Sequence, residues 1–178
     1  YAGKKVGSCN YSDICVFSFH PVKIITTGEG GMALTNSISL AKKLEKYRSH
    51  GIISQKNIFK KRSIKEIWNY QQFELGFNYR MTDIGASLGL NQIKKLNLFF
   101  NKRRKIAQFY DKHLKNLPLK RQKQLDNVLS TYHLYPIRLD LNKCVYSQRK
   151  IYNALHDLGI HVNIHYIPVY RHPYYEKL

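Results

Sequence analysis

Cysteine is scarce in this chain: three among 178 residues, Cys9, Cys15 and Cys144. The number is odd and no pair has C-x-x-C spacing, which argues against a disulfide framework or a zinc ribbon and fits a reducing cytosol. We read all three as small, half-buried residues. Long apolar runs are missing too. No stretch approaches the roughly 20 residues that a membrane helix needs, and no basic-then-apolar leader opens the chain. A cytoplasmic protein with no membrane partner is therefore expected. There is no G-x-S-x-G, so a Ser/His/Asp triad has no foothold. No internal repeat, low-complexity tract or nucleic-acid-reading motif is visible. Acidic residues are also few, 11 against 30 Lys and Arg, for a formal charge of +19. That excess is spread over short pairs such as Lys42-Lys43, Lys94-Lys95 and Arg103-Arg104, where a solvated helix face accounts for it. The dense stretch Lys56 to Lys65 reads as a loop. A positive field also suits a phosphate-rich substrate, so charge alone leaves that reading and a basic nucleic-acid-binding module both open.

The hydrophobic fraction of 43% is that of a globular protein. Ile14 to Phe19 is a short β-branched and aromatic run, a buried strand by its length. Pro21 interrupts it. Ile24 to Thr27 is expected to resume the extended pattern, Gly28 to Gly31 to turn, and Met32 to Thr35 to form another strand. Asn36 and Ser37 offer caps for a helix through Leu40, Leu44 and Tyr47, stopped at Gly51. Ile52 to Tyr70 reads as a loop and Glu74 to Met81 as irregular. Thr82 caps the next helix, with Asp83 in its first turn, where a negative charge suits the helix dipole. A further helix runs from Phe99 to Leu114, separate from the previous one or continuous with it through a bend. Thr131 to Leu139 reads as a strand, Ser147 to Leu158 as a capped amphipathic helix closed by Gly159, and Ile160 to Pro168 as a final strand. Alternating strands and helices of this kind indicate an α/β or α+β protein.

Chemistry concentrates at SFHPVKIITTGEGG, Ser18 to Gly31. A lysine at a strand end, ringed by Val22, Ile24 and Ile25, is partly desolvated, which favours its neutral form. A neutral lysine forms a Schiff base with an aldehyde. Ser18 can reach a phosphate near the same place, and the glycines let the backbone approach a bound group. The same spacing also describes a solvated lysine followed by an ordinary turn. Asn78-Tyr79-Arg80, just before a helix N-terminus, is either an anion site or a capped loop with a surface arginine. His161 and His165 have a metal-like H-x-x-x-H spacing. In the expected strand, four residues span roughly 13 Å at about 3.3 Å each. Two bonds of about 2 Å to one ion cannot bridge that, so no metal is expected.

Three stretches together add more. GKKVGSCNYSDICVFSFHPVKIITTGEGGMALTN, ELGFNYRMTDIGASLGLNQIKKL and GIHVNIHYIPVYRHPYY resemble, in order and spacing, three hallmarks of the DegT/DnrJ/EryC1/StrS sugar aminotransferases. The resemblance implies fold-type I, the aspartate-aminotransferase-like α/β fold of pyridoxal-phosphate enzymes. Residues 1–96 would be the C-terminal part of the cofactor-binding large domain. Residues 97–178 would be the linking helix and most of an α+β small domain. The wording is nearest a branch that aminates C4 of UDP-4-keto-6-deoxy-N-acetylhexosamines on the way to pseudaminic acid, with L-glutamate as the donor by analogy.

By the same resemblance, Lys23 would bind pyridoxal 5'-phosphate covalently and move the proton, and Ser18 would hold its phosphate. Asn78 would reach the phosphate bound by the neighbouring subunit of a homodimer. Arg80, His165 and Tyr166 would touch substrate or the interface. A related dehydratase branch carries histidine at the lysine's place, so Lys23 favours amino transfer. The family's carboxylate for the pyridine nitrogen and its phosphate loop lie upstream of the segment matched here, and Asp13 does not stand in for that acid. The chain opens on Tyr1 rather than Met. It is expected to be a piece of a longer enzyme, inactive or poorly folded by itself. Two rivals remain: a non-catalytic relative, and the basic nucleic-acid-binding module.

Overall fold

The computed structural model describes residues 1–53 and 65–177. The expected basic loop Lys56 to Lys65 lies outside these apart from Lys65. The chain divides into two compact units, one made of Tyr1–Tyr110 and Lys123–Tyr135, the other of Asp111–Gln122 and Pro136–Leu178.

In the first unit, β1 (Cys15–Ser18) pairs antiparallel with β2 (Gly31–Leu34), with Phe17 opposite Met32 and Ser18 opposite Gly31. Successive strand side chains alternate between faces. Cys15 and Phe17 accordingly face inward, while Val16 is 75% exposed. Helix α1 (Ile38–Arg48) starts where expected: the Ser37 hydroxyl accepts from the Leu40 N–H at 3.3 Å. It ends through left-handed His50 and Gly51, the Gly51 N–H returning to the Lys46 carbonyl at 2.9 Å. Two short strands pair antiparallel across the expected Ile52–Tyr70 loop: β3 (Ile52–Ile53) at its start and β4 (Gln71–Gln72) just past its end.

Helix α2 (Asp83–Lys94) is capped by Thr82, whose hydroxyl accepts from the Gly85 N–H at 3.1 Å. Helix α3 (Leu96–His113) follows after a break at Lys95, so the two are separate helices. Ala107 on α3, 2% exposed, is the buried apolar side chain among the described residues. Arg103 on α3 donates to the carbonyls of Tyr132 and His133 at 3.2 and 3.3 Å.

That contact explains one correction. The strand expected over Thr131–Leu139 is confined to β6 (Ile137–Leu139), because residues 131–135 are held against α3 and Tyr132 adopts a φ of 48°. In the second unit β6 pairs antiparallel with β5 (Leu119–Arg121), Leu119 opposite Leu139. Helix α4 (Gln148–Asp157) is capped by Ser147 and closed by left-handed Gly159, as its sequence indicates.

Two further expectations fail. Ile24–Thr27 is a bend at Ile24 and Ile25 followed by irregular backbone, and Ile160–Pro168 is irregular, followed by short 3-10 turns at Val169–Arg171 and Tyr175–Lys177. A strand exists by virtue of a neighbouring ladder. Neither stretch has one among the described residues. No helix among the described residues is long and apolar enough to cross a membrane.

Candidate functional site

Lys23 lies in the connection between β1 and β2. The hairpin does not close directly after Ser18. The Phe19 N–H donates to the Gly30 carbonyl at 2.9 Å, and the Phe19 carbonyl accepts both the Thr27 N–H at 3.0 Å and the Thr26 hydroxyl at 2.9 Å. These bonds fasten the base of a loop with Lys23 in its middle. Inside the loop the Lys23 N–H donates to the His20 carbonyl at 2.9 Å, and the Val22 N–H approaches His20 Nδ1 at 3.4 Å. The lysine is half-buried. Its setting is thus a hydrogen-bonded turn rather than the strand end expected. Ser18 closes β1, exposed, its oxygen 3.5 Å from the His20 nitrogen.

The glycines answer to close contact. A Cβ on Gly31 would stand 2.6 Å from the Phe17 carbonyl oxygen across the hairpin. One on Gly30, whose φ is +147°, would meet the Thr27 hydroxyl at 2.6 Å. The loop then rests on α2 through Thr27, which is 7% exposed. A Cβ on Gly89 would lie 2.8 Å from Thr27 Cγ2, and one on Gly85 3.1 Å from the Thr27 carbonyl oxygen. Residues four apart share a helix face, so the two glycines make one notch. Each costs α2 about 1 kcal/mol relative to alanine, and what they permit is this close approach. None of Thr27, Gly85 and Gly89 stands out as a site residue in the sequence by itself. The available signal was the pair of glycines at that spacing inside a capped helix.

Asn78 and Arg80 belong to the same unit, in the segment that enters α2. There the backbone pairs with the end of α1: Phe77 N–H to the Tyr47 carbonyl at 2.7 Å, and Tyr79 N–H to the Arg48 carbonyl at 2.9 Å. The Asn78 and Arg80 side chains are exposed. Below them, Lys46 is paired with Glu74. Its ammonium, and then the Tyr47 hydroxyl, hold the Glu74 carboxyl below the usual carboxylate range. Hydrogen bonding to Glu74 in turn raises the Tyr47 hydroxyl above its ordinary value. His165 and Tyr166 belong to the second unit, exposed, their rings 4.2 Å apart. His161 stands beside His156 with rings 5.4 Å apart, and no group of three metal-ligating residues occurs among the described residues.

Lys23 and Ser18 share the β1–β2 hairpin and offer an amine and a hydroxyl, group types that suit a phosphorylated aldehyde, whereas Asn78 and Arg80 stand on a separate segment tied to the end of α1. Asp13 is exposed, and its carbonyl accepts from the Thr35 hydroxyl at 2.7 Å.

The DegT/DnrJ/EryC1/StrS aminotransferase family profile matches residues 1–178. The chain belongs to this family. A UDP-4-amino-4,6-dideoxy-N-acetyl-beta-L-altrosamine transaminase of Campylobacter jejuni is 41% identical over the whole of this chain, which covers 44% of that protein. Among solved structures, Helicobacter pylori PseC, an aminotransferase involved in the biosynthesis of pseudoaminic acid, superposes with a TM-score of 0.84. It is 34% identical, and the match spans all of this chain and 45% of that one. Spr1654 of Streptococcus pneumoniae, described as a sugar aminotransferase and solved in its PLP form, is 27% identical. Its TM-score is 0.81, over 99% of this chain and 43% of its own. The chain therefore spans under half the length of these relatives. The resemblance carried by the three motifs is borne out, and the chain takes part of the fold-type I aminotransferase fold.

Proposed function

We propose that this chain is the C-terminal part of a pyridoxal-phosphate-dependent aminotransferase. Its substrate is a nucleotide-linked keto sugar, with C4 of a UDP-4-keto-6-deoxy-N-acetylhexosamine aminated at the expense of L-glutamate. On this reading residues 1–96 end the large domain and residues 97–178 make the linking helix and most of the small one. Family membership and the names of the relatives support the reaction. Their greater length supports the piece reading, as do apolar side chains left open, such as Ile84 at 85% exposure. Lys23 carries the proposal: a half-buried amine held at the centre of a fastened loop.

Bound pyridoxal phosphate supplies the electron sink through which nitrogen moves from donor to ketone. Lys23 Nζ would hold the cofactor covalently and act as the base that moves a proton at the reacting carbon. Ser18 Oγ would donate to its phosphate. In a homodimer with shared sites, Asn78 would donate to the phosphate of the cofactor held by the second subunit. Arg80 binds a substrate anion, and His165 and Tyr166 contact the sugar nucleotide. The enzyme works in the cytoplasm.

The test uses the full-length protein with pyridoxal phosphate, borohydride reduction and peptide mapping. A single pyridoxyl mark on Lys23 is expected. No mark, or label scattered over surface lysines, overturns the proposal. Incubating the enzyme with the UDP-4-keto sugar and glutamate, then reading the product by NMR, tests the substrate separately.

A further inference from the structure

We infer that Thr27 is the positioning residue for Lys23, its methyl group against Gly89 and its carbonyl against Gly85 in the notch of α2. The inference rests on the role proposed for Lys23 above. The contact is tight on every side: Thr27 is 7% exposed, and the notch leaves no room for a side chain at Gly89, 2.8 Å from Cγ2. The Thr27 hydroxyl donates to the Glu29 carbonyl at 2.8 Å. A β-branched side chain has few rotamers, and that bond selects one, so the methyl has a fixed direction. The neighbouring Gly30 has no space for a Cβ beside the same hydroxyl or the Met81 methyl, at 2.6 and 3.0 Å.

The contact joins two parts of the candidate site that are distant in sequence. Toward the lysine, the Thr27 N–H is bound to the Phe19 carbonyl, the fastening of the Lys23 loop. Toward Asn78 and Arg80, Gly85 donates to the Thr82 cap at the start of α2. A displacement of Thr27 in the notch therefore moves the lysine loop against the start of α2, to which the Asn78–Arg80 segment leads. Misplacing a reacting group by about 1 Å can cost on the order of a hundredfold in rate.

Gly89→Ala, Thr27→Ser and the double variant test this in the full-length protein. The readouts are the fraction of Lys23 marked by borohydride at sub-saturating pyridoxal phosphate, helical circular dichroism and the thermal midpoint. Gly89→Ala is expected to lower marking about tenfold, and Thr27→Ser about threefold, with helical content retained. In the double variant the alanine methyl takes the space of the missing threonine methyl, and marking recovers to within about threefold of the parent. If the parent is marked and the variants mark equally well, or the double variant regains its thermal midpoint without its marking, Thr27 does not position the lysine. If Gly89→Ala is insoluble, Thr27→Ser decides, and unchanged marking in it overturns the inference. A parent unmarked at Lys23 sinks the cofactor reading itself, and this inference with it.

Discussion

Ile24–Thr27 and Ile160–Pro168 look alike in the sequence, apolar and β-branched, and neither is a strand. Yet they are held very differently. The first is half-buried to buried and tied by Thr26 and Thr27 to the Phe19 carbonyl. The second is largely exposed. Its contacts are local to α4: the Ile160 N–H on the Leu155 carbonyl at 2.8 Å, and the His156 ring against the Val162 carbonyl at 3.2 Å. Backbone groups outside a ladder still need partners. In the first stretch the hairpin and side chains provide them. Lys23 thus stands on a part this chain braces for itself, whereas His165 and Tyr166, in the other unit, stand on a part it braces little.

The largest effect should come from the braced side. Lys23→Ala in the full-length protein should abolish the pyridoxyl mark and lower amination by about 10²–10⁴-fold, as loss of a positioned proton-transfer group does. Lys23→Arg should be as inactive, because guanidinium does not give up its proton. Near-normal turnover by either variant, measured with the sugar nucleotide and glutamate, would show that the braced loop does not carry the chemistry.

A smaller effect separates two glycines. Gly31→Ala sets a Cβ 2.6 Å from a backbone oxygen that cannot rotate away. It should destabilise by about 1–3 kcal/mol in denaturant unfolding, as overpacking does. At Gly159, with φ +75° and nothing within 4 Å, alanine meets strain without a clash and should cost about 1–2 kcal/mol. A cost at Gly159 above that at Gly31 would show that the hairpin is no better braced than the stretch after α4. Next, His165→Ala and Tyr166→Phe should each raise KM for the sugar nucleotide by roughly two- to tenfold, the range for one neutral hydrogen bond. Loss of kcat on the scale of Lys23 would place them in the chemistry instead.

The smallest effect lies beneath Asn78. Because Lys46 and Tyr47 lower the Glu74 carboxyl, its stabilisation is present above the ordinary value of 4.5 and is lost as pH falls through the depressed one. Tyr47 is raised by Glu74, so its share is present below 10.0 and is lost as pH rises through the elevated value. Glu74→Gln should flatten the thermal midpoint against pH at both ends. A profile that keeps its shape would show that this pair does not help to hold the segment carrying Asn78. The effect is small because partly exposed ion pairs contribute little.

Much was legible beforehand. Ser37, Thr82 and Ser147 accept the N–H groups they were expected to, and Gly51 and Gly159 turn where they should. Caps and stops depend on residues within one helical turn of each other, so local sequence determines them. The three motifs, Lys23 among them, likewise placed the chain in its family. Tertiary structure alone decided that Ile24–Thr27 and Ile160–Pro168 are not strands, since a strand is made by its neighbour. It alone decided that Thr27 lies in a notch between Gly85 and Gly89. That contact joins residues far apart along the chain, and its cause is the shape of a helix face once the hairpin has folded onto it.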